Sequence, residues 1–144
     1  MSKPPRLPWR RSSDDRPDDY QADLPIDRIA WARMFRATSG EKRWVWSACV
    51  GDFNDHGRCL GKQECADAAT LAVWQLKRRD DLARNLPRNE PFEIDLDGPT
   101  ETLEDYLFII DFRWGERLMH GTAPPHIAET HAVLSRTLLK RAGG

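Results

Sequence analysis

A chain of 144 residues, 40% hydrophobic and 31% charged, is long enough to bury one sizeable core, and none of its runs approaches the roughly 20 apolar residues that a bilayer-spanning helix needs. Its three cysteines show no paired spacing, which excludes a disulfide framework as the organising device, and no apolar leader follows the Arg- and Pro-rich start, so the expected location is cytoplasmic. The formal charge of −1 conceals a partition: residues 1–88 carry 17 Lys+Arg against 13 Asp+Glu, residues 89–112 carry eight acids and no Lys or Arg, and residues 113–144 carry five basic against two acidic side chains.

Residues 1–25 mix Pro, Ser, Arg and Asp, with Arg10-Arg11 close to Asp14-Asp15 and Asp18-Asp19. That composition buries too little apolar surface to offset chain entropy, which predicts a flexible N-terminal arm. Trp9 and Tyr20 are its exceptions, candidate anchors to the domain or to a partner. Residues 26–144 read as a single α+β domain.

Ile29, Trp31 and Phe35 alternate within residues 28–36, while the alanines there suit a helix equally; the turn residues Ala37-Thr38-Ser39-Gly40-Glu41 that follow favour a strand. Trp44, Trp46, Ala48 and Val50 then alternate with Val45, Ser47 and Cys49, the period of a half-buried strand rich in aromatic and β-branched residues. Gly51-Asp52-Phe53-Asn54-Asp55-His56-Gly57 supplies turn residues, with Arg58-Cys59-Leu60 as a short return strand. Gly61 breaks the run. Cys65, Ala68, Ala69, Ala72, Val73 and Leu76 fall at helical spacing, predicting a helix over 62–79 with Trp74 in the core and Lys77-Arg78-Arg79 at its negative pole.

The order of the 28–36 strand, Trp44-x-Trp46-Ser47, Gly57-Arg58, and Glu64-Cys65 leading a helix to Trp74 resembles that of small uncharacterised bacterial β-β-β-α proteins. The resemblance implies a fold and no activity; Cys65 stands where such proteins tend to have Ala.

Beyond the break at Asn85-Leu86-Pro87-Arg88-Asn89, Phe92, Ile94 and Leu96 alternate with Glu93, Asp95 and Asp97, predicting a further strand with its carboxylates outward. Gly98-Pro99 ends it, and Thr100 is placed to cap a helix over 101–112 whose apolar face is Leu103, Tyr106, Leu107 and Ile110. After Ala123-Pro124-Pro125, a last helix runs over 127–141 through Ile127, Val133, Leu134, Leu138 and Leu139. The expected fold is therefore α+β: an antiparallel sheet of three to four strands packed by the 62–79 helix, followed by two C-terminal helices.

Several patterns invite a chemical reading and fall short of it. Asp52, Asn54, His56 and Gly57 imitate the front of a calcium loop, but the twelfth position is Gln63 where a bidentate Glu is needed. His56, Cys59 and Cys65 lack the C-x₂₋₄-C pair and fourth ligand of structural zinc. His120, His126 and His131 are spaced by six and five, not by the four of a helical metal pair, and read as surface residues. Glu93, Asp95 and Asp97 are carboxylates that in a metal-dependent hydrolase would hold Mg²⁺, but no Lys lies between Lys77 and Lys140 to assist phosphoryl chemistry. Neither a phosphate-binding Gly-rich loop nor a nucleophile elbow occurs. No residue is assigned a catalytic or metal-binding role, and no cofactor is expected.

Charge carries what functional signal there is. The 89–112 block, with Glu93, Asp95, Asp97, Glu101, Glu104 and Asp105 as its contact residues, suits a non-enzymatic protein that engages a basic partner through an acidic surface. A face imitating phosphate charge would fit an inhibitor or adaptor of a nucleic-acid-handling system, as in inhibitors of restriction or CRISPR systems. The alternative is direct nucleic-acid binding through Lys62, Lys77, Arg78, Arg79, Arg84 and the N-terminal arm. The run Gly57-x-Cys59-x-Gly61-Lys62-Gln63-Glu64-Cys65 resembles the loop-to-helix junction of double-stranded-RNA-binding domains, although such domains place several lysines there and this chain has only Lys62.

Overall fold

The computed structural model describes residues 4–41 and 43–143. In chain order these form β1 (Arg10–Arg11), β2 (Asp19–Asp23), β3 (Ala30–Arg36), β4 (Trp44–Val50), β5 (Phe53–Cys59), α1 (Lys62–Arg84), α2 (Thr100–Met119) and α3 (Pro125–Gly143). The fold is α+β, and the chain divides into two compact units, Met1–Asp80 and Asp81–Gly144. None of its helices, among the described residues, is long and apolar enough to cross a membrane.

The first unit is a five-stranded antiparallel meander in the order β1-β2-β3-β4-β5. Its register sets Tyr20 against Met34, Met34 against Trp46, and Trp46 against Gly57. Because side chains alternate across a strand, Ala30, Ala32 and Met34 share one face with Trp44, Trp46, Ala48 and Val50, and all seven are buried. Cys65, Ala69, Ala72, Val73 and Leu76 of α1 are buried at helical spacing, and burying Val73 or Leu76 contributes roughly 1.5–3 kcal/mol each. Gly57 makes room for an indole: a Cβ there would lie 2.7 Å from Trp46 Nε1. Arg28 Nε meets Asp80 Oδ2 at 2.7 Å, with both side chains largely withdrawn from solvent, and this ion pair ties the approach to β3 to α1.

Four expectations change here. The sheet has five strands, not three to four, and two of them lie in residues 1–25, where a flexible arm was expected. Polar composition concealed them: the Asp19 carboxylate accepts from Ser12 and Arg33, while Leu7, Ala22 and Leu24 supply buried apolar contacts. The 51–57 loop shrinks to Gly51-Asp52, a two-residue connection with Gly51 at φ +59°, because 53–57 belong to β5. A calcium-loop shape is thereby lost. Trp74 is only half-buried and donates its indole N–H to the Pro5 carbonyl at 2.8 Å, fastening the N-terminal segment instead of filling the core. Finally, α1 continues to Arg84, past the expected end at residue 79.

In the second unit, Leu103, Ile110 and Trp114 of α2 pack with Ile127 and Leu134 of α3. The connection between these helices is a Schellman turn: Thr122 N–H donates to Arg117 O at 2.8 Å, and Gly121, at φ +71°, donates to Leu118 O. Pro125 then opens α3 at the position where a missing N–H costs nothing. Arg113 donates to the Ala83 and Leu86 carbonyls, at and just past the end of α1. Thr100 does not cap α2. Pro99 holds that position without a side-chain bond, and the Thr100 hydroxyl accepts from Arg141 Nη1 at 3.0 Å. Leu139, assigned to the apolar face of the last helix, is 78% exposed.

Candidate functional site

Residues 92–97 form no strand, yet their alternation survives as burial. Phe92, Ile94 and Leu96 pack against the α2–α3 core, which leaves Glu93, Asp95 and Asp97 exposed. The segment is held from behind: Arg141 donates to Leu96 O at 2.7 Å and to Gly98 O at 2.8 Å. Asp95 Oδ1 accepts from the Asp97 N–H at 3.0 Å, shaping the turn into α2. Glu101 and Glu104, in the first two turns of α2, are also exposed and lie where the helix dipole favours negative charge. Asp105 departs from the expected set. It is 1% exposed, on the same helical stripe as Ile109, and offers no surface to a partner.

Beside this row lies a pocket of about 400 Å³ that sequence reasoning did not anticipate. Phe92, Ile94, Leu96 and Val133 form its apolar lining, with Glu93, Glu129 and His126 adding polar groups. The Phe92 and His126 rings meet edge-to-face at 6.3 Å, and His126 Nε2 is buried without a hydrogen-bond partner among the described residues. Glu129 carried no signal and His126 read as a surface residue, because α3 brings both to the segment from a distant stretch of the chain.

His120, His126 and His131 have separate roles. His120 ends α2 and donates its backbone N–H to Glu116 O; His131 Nε2 meets Asp111 Oδ1 at 2.8 Å; His126 lies in the pocket. Among the described residues no group of three His, Cys, Asp or Glu side chains is placed to hold a metal ion. Cys59 and Cys65 are buried beside one another, and burial, followed by the neighbouring Cys59, pushes the Cys65 thiol up to about 12.

The basic residues fare differently from one another. Lys77, Arg78 and Arg79 do not end a helix; α1 carries on through Asp80 and Asp81 to Arg84, and all four cations engage other groups of the chain. Lys62 stands apart at the start of α1. Its ammonium donates to Tyr20 Oη at 2.7 Å and lies 4.1 Å from the Tyr20 ring centroid. Comparison with protein-family models, with curated proteins and with solved structures gives no match to this chain.

Proposed function

We propose that this chain is a non-enzymatic binding protein whose acidic row, Glu93, Asp95, Asp97, Glu101 and Glu104, engages the basic surface of a protein partner. The observation that carries the reading is the pocket of about 400 Å³ beside that row. An arginine or lysine of the partner would lay its aliphatic stem on Phe92, Ile94, Leu96 and Val133 and bring its cationic head to Glu93 and Glu129. Exposed ion pairs contribute only about 0.2–1 kcal/mol each, whereas each buried methylene adds about 0.8 kcal/mol. The pocket and the carboxylates therefore share the affinity, and the carboxylates also set orientation and association rate. An inhibitor or adaptor of a nucleic-acid-handling system would use such a face in place of phosphates.

Fluorescence anisotropy with a labelled Lys/Arg-rich peptide tests the reading. The combined Glu93→Ala, Asp95→Ala, Asp97→Ala variant is expected to weaken binding at least tenfold at low salt. Val133→Phe, which fills the pocket without changing charge, is expected to weaken it as well. Unchanged affinity in the triple variant would remove the acidic row from the function.

A further inference from the structure

The first unit holds a second cavity, of about 440 Å³, between the N-terminal segment, the Tyr20–Met34 row of the sheet and the first turns of α1. Trp9, Tyr20 and Met34 supply its apolar and aromatic walls, and Arg6 and Lys62 its positive charge. A neighbouring hollow of about 510 Å³ shares Arg6, Gln63, Asp67 and Thr70 with it, extending the groove along α1. Arg11, opposite Tyr20 in the β1–β2 register, adds a third cation next to the same phenol.

The balance of charge in this groove favours an anion. Lys62 and Arg11 both act on the Tyr20 phenol and Arg6 lines the same cavity, so these three cations outweigh the carboxylate of the lining, Asp67, which accepts from Gln63 Nε2 at 3.0 Å. Lys62 has three N–H donors and spends one on Tyr20. The hydrogen bond from Lys62, foremost, makes the Tyr20 phenol more acidic than usual, with Arg11 adding to the effect. A field that favours a phenolate equally favours any other anion placed in it. The volume is within the range of small organic ligands and exceeds what a bare inorganic ion would fill. A half-buried indole in the wall offers a flat surface for stacking.

We propose that this groove binds a mononucleotide, its phosphate held by Lys62, Arg6 and Arg11 and its base stacked on Trp9. The site shares no residue with the acidic row, so either reading can fail without the other.

Calorimetry on the full chain with AMP, GMP, CMP and UMP, and with inorganic phosphate and adenosine as controls, decides the matter. At least one nucleotide is expected to bind saturably and at least tenfold more tightly than either control. Lys62→Met, an exposed position, is expected to weaken that binding at least tenfold while leaving the melting curve unchanged. Trp9→Leu should do likewise, and Trp9→Phe, which keeps a ring, should retain binding and covers the case in which the Leu variant fails to fold. Bound nucleotide should also move the Tyr20 phenolate absorption to higher pH, because the phosphate neutralises the cations that favour it. The proposal is overturned by an absence of saturable heat at millimolar nucleotide, by inorganic phosphate or adenosine binding as tightly, or by undiminished binding in Lys62→Met.

Discussion

Replacing Asp19 by Asn is expected to cost about 2 kcal/mol at neutral pH, and the cost should disappear in acid. Asp19 is 6% exposed and accepts from Arg33 Nε at 3.1 Å, Arg33 Nη2 at 2.7 Å and Ser12 Oγ at 2.8 Å. Hydrogen bonds to charged groups contribute roughly 1.5–3 kcal/mol net. Asn keeps one acceptor, and the Arg33 side chain is 42% exposed, so solvent screening holds the loss to about 2 kcal/mol. At about 2.1 cal/mol/K of unfolding entropy per residue, that corresponds to a fall in Tm of roughly 6–7 °C for this chain. The Arg33 hydrogen bond holds the Asp19 carboxyl below its ordinary value of 3.8, against a smaller opposing effect of burial. A depressed folded-state pKa means stability that is fully present above the unfolded value and lost as pH falls through the folded one. Circular-dichroism melts of wild type and variant, compared at equal pH, should therefore differ by a constant gap between pH 5 and 8 and by a narrower one at pH 3. A gap below 1 °C at pH 7, or one as wide at pH 3 as at pH 7, would refute the reasoning.

Gly57→Ala should destabilise the sheet by about 1–3 kcal/mol, because the new Cβ would fall 2.7 Å from Trp46 Nε1 and force the indole from its seat; a urea midpoint equal to wild type would show that the Trp46–Gly57 packing does not matter. The three thiols should also separate by reactivity. Cys65 is pushed up to about 12 by burial, and Cys49 is raised first by burial and then by Asp52, so a disulfide reagent at pH 8 should modify Cys49 slowly and Cys59 and Cys65 only after unfolding. Rapid labelling of two or more thiols in the native protein would contradict the buried Cys59–Cys65 arrangement.

How much of this was legible in the sequence depends on whether burial coincided with periodicity. β4 and α1 announce themselves because their apolar faces point at one another across the first unit, whereas the alanines of β3 suit a helix equally and only the turn residues after it favour a strand. β5 does not announce itself: it is an edge strand whose Asn54, Asp55 and His56 face solvent, so its composition imitates a loop. Residues 92–97 err the other way. Their alternation records which side chains touch the helices, and no neighbouring strand pairs with the backbone. β1 and β2 are held by side-chain pairs such as Asp19–Arg33 and Arg10–Asp23, which a hydropathy pattern cannot register. The acidic row was visible because it is contiguous, but helical phase turned Asp105 inward while Glu104, one residue earlier, stayed out. Of the Tyr20 groove, Trp9, Tyr20 and Lys62 stood out singly, but nothing in the pattern joined them, since its charges come from residues 6, 11 and 62.

The two proposed sites carry opposite charge, and both lose affinity as salt rises, so ionic strength alone cannot tell them apart. What separates them is the apolar half of each. The acidic row depends on a pocket that accepts an aliphatic stem, and Val133→Phe closes it without touching a charge. The Tyr20 groove depends on an indole that accepts a flat ring, and Trp9→Leu removes it while leaving Lys62, Arg6 and Arg11 in place. A ligand lost to salt but indifferent to both of these changes would be held by diffuse charge, and neither site would then be specific.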